Sequence, residues 1–121
     1  MPWTVVNHDA FDPEYDALPE AVQDELLAMS ALLAVYCPQL GRPDADTLSS
    51  SRHANMKELQ FKADDGVWRV AFAFDPERKA ILLVAGDKAG VAQKRFYKTL
   101  INTADKRFDE HLAAQAAKKE T

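Results

Sequence analysis

The chain has 121 residues, of which 47% are hydrophobic and 28% are charged, values typical of one soluble globular domain. Its apolar runs, such as residues 80–86, are far too short to cross a bilayer. The N-terminus has no pattern of a signal peptide, and the single Cys37 cannot form an intrachain disulfide. We therefore expect one cytoplasmic domain over residues 1–121, with no membrane association and no cofactor.

The net charge of −4 conceals an asymmetry along the chain. Residues 1–51 hold nine acidic residues and one basic residue, whereas residues 52–121 hold ten acidic and fourteen basic residues. One interpretation is that charged surface helices only keep the protein in solution. The other is a basic working face in the C-terminal half with an acidic back, which leaves a nucleic-acid partner open.

The first half of the chain predicts one strand and two helices. Residues 3–7, WTVVN, are β-branched and typical of a short strand. Asp12 suits a helix cap and Pro13 a first helical position, so a brief helix is expected there. Apolar residues at helical spacing predict a longer helix over residues 20–36, which completes a helical hairpin. The stretch that follows, residues 37–54, is rich in Pro, Gly, Ser and Asp and predicts a loop.

From Asn55 the apolar pattern changes to period two. It predicts three strands at residues 55–61, 67–74 and 80–86, joined by short turns. A long helix over residues 94–119 follows, with apolar side chains at four-residue steps. The predicted fold class is α+β: a small twisted antiparallel sheet in the order β-α-α-β-β-β-α, with all helices packed on one face. The last strand, AILLVA, is apolar on both sides, so it should lie inside the sheet with both faces covered.

Alternation along residues 67–74 separates two sets of side chains. Trp68, Val70, Phe72 and Phe74 should meet the helices. Arg69 points the other way between small alanines, which predicts an open, shallow concave surface around it. Glu58 and Gln60 share the side of Arg69. Strict alternation places Lys57 on the core side, where it should reach the sheet edge or be turned round by a bulge.

The string NMKELQF…WRVAFAFDPERKAILLVAGDK…FY resembles the RelE/ParE superfamily of toxins in type II toxin–antitoxin modules, and most of all its phage-related HigB-type branch. The resemblance implies a RelE-like fold, in which a small twisted antiparallel sheet is backed by an N-terminal helical hairpin and a C-terminal helix. Many members of the superfamily cut mRNA in the ribosomal A site, whereas the ParE branch poisons DNA gyrase. In both cases an antitoxin encoded alongside neutralises the toxin.

The resemblance also implies roles for particular residues. Arg69 matches the arginine that contacts the scissile phosphate, and Lys88 in GDK matches the basic position after the last strand. Glu58 falls on the ELR motif of the branch, whose usual arginine is replaced here by Gln60. Tyr97 falls where some relatives have a functional tyrosine. The predicted catalytic set is therefore Arg69, Lys88, Glu58 and Tyr97, and the predicted RNA-binding set is Lys57, Gln60, Arg78, Lys94 and Arg95.

Cleavage of RNA by its own 2′-hydroxyl needs a base, an acid and cations on the developing phosphorane. Arg69 and Lys88 offer the charge, and Glu58 or Tyr97 offers the proton transfer. The three histidines lie far apart and no HxxxH or CxxC pattern is present, so we expect no metal. The predicted function is a ribosome-dependent mRNA endoribonuclease with a helix-turn-helix antitoxin as partner.

Two other functions remain open at this point. One is a ParE-like DNA gyrase inhibitor, and the other is a non-enzymatic binding module or decayed toxin. Each candidate residue also has an ordinary structural interpretation. Arg69 can be a solvated arginine on a sheet face, Lys88 a turn residue and Tyr97 a residue on the flank of a helix. Glu58 can simply pair with Arg69 across the strands.

Overall fold

The computed structural model describes residues 3–36, 39–42, 44–88 and 90–119, and Cys37 lies outside them. Their elements in chain order are β1 (Thr4–Asn7), α1 (Phe11–Asp16), α2 (Glu20–Tyr36), β2 (Ala45–Thr47), β3 (Met56–Ala63), β4 (Gly66–Phe74), β5 (Lys79–Asp87) and α3 (Gln93–Lys119). The α+β class is as predicted, and α2 has the predicted bounds.

The described strands form one sheet in the order β1-β5-β4-β3-β2. The pairs β2–β3, β3–β4 and β4–β5 are antiparallel, but β1 runs parallel to β5. The prediction of a wholly antiparallel sheet was wrong at this edge, because two helices and three strands separate β1 from β5 in the sequence and no tight turn fixes their relative direction. A second departure is β2, which pairs with β3 inside the stretch predicted as loop.

Two local features set the register of the sheet. β3 and β4 are joined by Asp64 and Asp65, both with positive φ of 51° and 59°, the conformation of a type I′ hairpin turn. Between β4 and β5 the register shifts after Ala71, so Leu83 is an extra residue in β5. Leu83 and Val84 therefore both contact the α3 side of the sheet.

The first helix begins two residues earlier than predicted. Its N-cap residue is Ala10, which makes no side-chain capping bond, and Asp12 accepts a hydrogen bond from the amide of Asn7 at 3.0 Å instead. The predicted cap at Asp12 was therefore wrong. Pro13 is still tolerated, because the first backbone N–H groups of a helix have no intrahelical partner.

Helices cover both faces of the sheet. On one face, α1 and α2 pack over β-strand side chains that include Leu59, Phe61, Val70 and Phe72. On the other face, α3 packs over a second set that includes Ala71, Ala73, Ile81 and Leu83. The prediction of helices on one face was wrong, and so was the open concave surface. Ala71 and Ala73 are fully buried, since their small side chains let α3 approach the sheet closely.

Candidate active site at the start of α3

Three of the four predicted catalytic residues form one hydrogen-bonded chain. The Nε of Arg69 donates to the hydroxyl of Tyr97 at 2.7 Å, and that hydroxyl donates to Oε1 of Glu58 at 3.0 Å. Arg69 and Glu58 are only 8% and 6% exposed, whereas Tyr97 is half-buried. Glu58 and Arg69 therefore do not pair directly across the strands, because the tyrosine hydroxyl lies between them.

The register of the sheet places these side chains. Glu58 lies opposite Ala71, and Arg69 lies between Gln60 of β3 and Gly86 of β5. A Cβ on Gly86 would lie 2.8 Å from the ring of Phe96, so glycine lets the first turn of α3 reach the sheet at this point. The guanidinium carbon of Arg69 lies 5.7 Å from the centroids of both the Phe96 and Tyr97 rings.

Burial changes the pKa values of Glu58 and Tyr97 within this hydrogen-bonded chain. Desolvation raises the pKa of Glu58 above its ordinary value, although the hydrogen bond from Tyr97 and the charge of Arg69 oppose the shift. Desolvation and the nearby Glu58 carboxylate also raise the pKa of Tyr97. The other oxygen of Glu58, Oε2, is buried and has no hydrogen-bond partner among the described residues. A carboxyl group with a raised pKa is a better base near neutral pH than an ordinary glutamate.

Of the other predicted residues, some lie beside the hydrogen-bonded chain and others lie away from it. Gln60 lies directly opposite Arg69. Lys88 is half-buried and follows the end of β5, two residues beyond Gly86, and no hydrogen bond or ion pair within the described residues joins it to Arg69, Tyr97 or Glu58. Lys94 is exposed on the Tyr97 side of α3. Arg95 points to the other flank of the helix, beside Gly86 and Phe96.

Lys57 and Arg78 are not brought to this site. Lys57 reaches the hairpin face of the sheet, with its ammonium 5.8 Å from the centroid of Phe74. Arg78 lies in the turn between β4 and β5 with its guanidinium 4.8 Å from the centroid of Trp3. Both positions lie apart from Arg69, so the geometry does not support their predicted contact with RNA at the same site.

A groove beside Tyr97 contains residues that the sequence reasoning missed. Its volume is about 620 Å³, and it lies between the β2–β3 loop and α3. The lining residues that were not predicted are Ser50, Gln93, Lys98, Ile101 and Asn102. A signal was present in the sequence, since residues 88–104 contain four basic residues and no acidic one. Basic side chains near the positive end of a helix oppose its dipole, which marks them as candidates for binding an anion.

Beyond this site, polar contacts along the length of α3 attach it to the β2–β3 loop and to the end of β4. Ser51 donates a hydrogen bond to Asp105 at 2.5 Å, and His53 contacts Asp109 at 2.8 Å. Towards the C-terminal end, His111 contacts the buried Asp75 at 2.9 Å. In the described part of the chain, no three His, Cys, Asp or Glu side chains form a group that could hold a metal ion. His53 and His111 each contact the carboxylate of an aspartate.

Residues 13–109 match the family described as Phage derived protein Gp49-like. The match covers most of the chain. The chain belongs to this family. The resemblance to the HigB-type branch of the RelE/ParE toxins is confirmed by two relatives from Mycobacterium tuberculosis strain H37Rv. None of the described helices combines the length and apolar character that a membrane span requires.

One of these relatives, "Putative toxin HigB2", is 49% identical over 77 residues, which are 63% of this chain and 38% of the relative. The Gp49-like chain thus spans little more than a third of that protein. The second, "Putative toxin HigB3", is 48% identical over 84 residues, covering 69% of this chain and 71% of the relative.

Two solved structures share the fold of this Gp49-like chain. An arginine-to-alanine double mutant of E. coli toxin RelE in the free state aligns with a TM-score of 0.56 at 12% identity, over 84% of this chain and 95% of that one. RelE in the archaeal RelE–RelB complex from Pyrococcus horikoshii OT3 aligns with a TM-score of 0.53 at 17% identity, over 75% of this chain and all of that one. The RelE-like fold predicted from the sequence is confirmed.

Proposed function

We propose that this protein is the toxin of a type II toxin–antitoxin module and that it cleaves mRNA on the ribosome without a metal ion. The observation that carries the proposal is the hydrogen-bonded chain from Arg69 through Tyr97 to Glu58. It combines a cation, a hydroxyl group and a carboxyl group of raised pKa in one place. Those are the groups that phosphodiester cleavage by a ribose 2′-hydroxyl requires.

In the proposed mechanism, Tyr97 contacts the substrate and Glu58 accepts a proton from Tyr97. The 2′-oxygen attacks the adjacent phosphorus while its proton passes to the oxygen of Tyr97, whose own proton moves to Glu58. The bond from phosphorus to the 5′-oxygen then breaks, leaving a 2′,3′-cyclic phosphate, and the 5′-oxygen takes a proton from water. Arg69 stabilises the phenolate character of Tyr97 and the charge that develops on the phosphorane.

The ribosome supplies substrate alignment in this proposal. Arg69 and Glu58 are almost completely buried and Tyr97 is half-buried, so the site offers little exposed surface to an incoming chain. The reaction rate at such a site should rise when the substrate is already held in an extended conformation. Lys88 at the end of β5 and Gln60 opposite Arg69 are placed to contact the phosphates on either side. This activity would act in the cytoplasm, where translation takes place.

Induction of the protein in bacteria, followed by primer extension on cellular mRNA, tests the proposal. We expect growth arrest and new 5′ ends inside translated codons. Arg69→Ala should lower the cleavage rate by at least about a hundredfold, as loss of a preorganised oxyanion donor does. Arg69→Lys keeps the charge but loses the fork that binds phosphate, so it should restore little activity. Intact messages and normal growth after confirmed expression would refute the proposal.

Tyr97→Phe is the sharper variant, because it removes one hydroxyl and keeps the ring. If Tyr97 transfers the proton, cleavage should fall by about a hundredfold or more. If the hydroxyl only fastens α3 to the sheet, the fold should lose about 1 kcal/mol and the cleavage rate should hold. Inhibition of DNA supercoiling by the pure protein, with mRNA left intact, would instead place it with the gyrase inhibitors.

We propose the outer surface of α2 as the docking site of the antitoxin. Four of the five large apolar side chains that are exposed in the described residues lie there: Leu27, Leu32, Val35 and Tyr36. They are spread over the solvent-exposed half of the helix, and the exposed acidic residues Glu20 and Asp24 lie on the same half towards its N-terminus. α1 and α2 together carry six acidic residues and no basic one. The surface therefore fits a helix with an apolar face and basic flanks.

This docking site lies on the opposite face of the sheet from Arg69, so variants separate the two roles. Glu20→Lys with Asp24→Lys should weaken antitoxin binding and leave toxicity intact, whereas Arg69→Ala should abolish toxicity and leave binding near normal. Glu14 is unsuitable for this test because it is already bound to Arg107 at 2.6 Å. Loss of binding on Arg69→Ala, with none on the α2 reversal, would place the antitoxin over the active site.

A further inference from the structure

The groove beside Tyr97 has the chemical character of a nucleotide site. The ring of Tyr97 and the side chain of Ile101 supply apolar surface within it, and Lys94 and Lys98 supply positive charge. The lysines are four residues apart on α3, so they lie one above the other, about 6 Å apart along the helix axis. None of the described lining residues is acidic. The occupant should therefore be flat, apolar on its face and attached to negative charge.

Neutral polar groups complete the lining. Asn102 lies one turn beyond Lys98, and Ser50 lies across the groove in the β2–β3 loop. Within the described residues, no hydrogen bond or ion pair engages the side chains of Lys94, Lys98 or Asn102. An amide and a hydroxyl group offer donors and acceptors to the edge of a nucleobase, while the aromatic ring offers a stacking surface. A volume of about 620 Å³ accommodates one nucleotide with its phosphate groups.

Tyr97 belongs to both the groove and the hydrogen-bonded chain. Its hydroxyl contacts Arg69 and Glu58, while its side chain forms part of the groove lining. A phosphate held at Arg69 would therefore lead directly into the groove. We infer that the groove is a nucleotide subsite, in which Lys98 and Lys94 bind backbone phosphate, Tyr97 and Ile101 contact the base, and Asn102 contacts its edge. The inference rests on the proposed cleavage of RNA and names the part of the substrate that this face holds.

Binding of a non-cleavable RNA tests the subsite independently of cleavage. The probe is a fluorescein-labelled tetranucleotide with 2′-O-methyl groups, titrated with the intact protein at several salt concentrations. Lys98→Gln should weaken binding about three- to tenfold and reduce the salt dependence by about 0.7 in log–log slope, as loss of one phosphate contact to a single strand does. Lys106→Gln is the matched control, with the same charge change on an exposed lysine of α3 outside the groove. It should bind as the wild type does.

Base contact gives a second readout. Across tetranucleotides of different base, Asn102→Ala should change the order of affinities, and in a cleavage assay it should redistribute the cut sites. Equal affinity of wild type and Lys98→Gln, both folded by circular dichroism, would overturn the inference, as would equal weakening by Lys106→Gln. If RNA is cleaved and both groove variants keep its rate and sites, the subsite is wrong and the proposed function stands. If binding depends on Lys98 but no RNA is cut, the subsite stands and the proposed function fails.

Discussion

The two faces of the sheet are covered by helices of opposite character. α1 and α2, which carry acidic but no basic residues, pack on their face through apolar side chains. α3 packs on the other face through apolar side chains and also through polar contacts, such as those of Arg107 with the backbone carbonyl of Leu83 and of His111 with Asp75. The candidate active site and the groove both lie on the α3 face. The hairpin face thus serves mainly stability, whereas the α3 face combines stability with buried polar groups.

This division carries a physical consequence for the buried polar groups. A carboxyl group whose pKa is raised by burial is less stable in its charged form than it would be in water. Glu58 is such a group, and one of its oxygens has no partner in the described residues. The apolar contacts of the hairpin face offset that penalty. The effects of substitutions on the free energy of unfolding should therefore differ between the two faces in size, in sign and in dependence on pH.

Phe72→Ala should have the largest effect on stability. Phe72 is fully buried on the hairpin face and packs edge-on against Phe74 with centroids 5.5 Å apart. Loss of its ring should reduce the free energy of unfolding by about 3–5 kcal/mol, measured by urea denaturation at pH 7. Leu27→Ala, an apolar truncation at a 61% exposed position of α2, should change it by less than about 0.5 kcal/mol. Similar losses for both variants would show that Phe72 is not a core residue.

Arg107→Gln should have an intermediate effect. Arg107 donates to both carboxylate oxygens of Glu14 and, at 2.7 Å, to the carbonyl of Leu83. Because Glu14 is 44% exposed, we expect a loss of only about 1–2 kcal/mol. Arg42→Gln is the control, since its pair with Asp46 is exposed and should contribute almost nothing.

The sign of the pH dependence follows from Glu14. The hydrogen bond from Arg107 lowers the pKa of Glu14, so the stabilisation is present above the unfolded-state pKa and is lost as pH falls through the lowered value. The difference in unfolding free energy between wild type and Arg107→Gln should therefore shrink in acid. A difference that is unchanged down to about pH 2 would show that the carboxylate is not the important partner.

Glu58→Gln should have the smallest effect on stability, and unlike the two substitutions above it should stabilise the fold at pH 7. Because the pKa of Glu58 is raised in the folded state, the folded protein holds this proton more tightly than the unfolded chain does. The penalty accumulates as pH rises from the unfolded-state pKa and is complete above the folded-state pKa. The variant should therefore melt slightly higher than wild type at pH 7, with no advantage below about pH 4.

The same variant should lose RNA cleavage, which separates its role in function from its role in stability. Glu77→Gln, in the exposed turn between β4 and β5, is the control and should keep both the melting temperature and the cleavage activity. A melting temperature for Glu58→Gln well below that of wild type at pH 7 would mean that the ionised carboxylate stabilises the fold.

Local patterns in the sequence predicted the local structure well. The bounds of α2 came from apolar spacing within the helix itself. The shared side of Glu58 and Arg69 came from alternation, and it placed two members of the hydrogen-bonded chain together. The inclusion of Tyr97 came from the family resemblance, because the apolar stripe of α3 indicates which side of the helix packs but not which part of the sheet that side meets. Lys57 followed the alternation and lies on the hairpin face, as strict alternation requires.

Apart from the helix cap predicted at Asp12, the main errors concern contacts between separate parts of the chain. Ala71 and Ala73 were interpreted as an open surface, but small residues suit a closely packed helix equally well. The apolar stripe of α3 needed a surface to cover, and the alanines provide it. The direction of β1 depends on pairing with β5 across most of the chain, which no local pattern determines. The prediction of one domain over residues 1–121 stays a prediction.

The parallel pairing of β1 with β5 has a consequence for synthesis of the chain. Thr4 pairs with Lys79, so the first strand emerges from the ribosome long before its partner exists. The apolar side of α2, with Val22, Leu26, Met29 and Leu33, likewise has no surface to pack on until β3 and β4 are made. The nascent chain therefore exposes the apolar side of this helix while residues 37–74 are made. We expect newly made copies to be more prone to aggregation over that interval than a chain with the three antiparallel strands at its N-terminus would be.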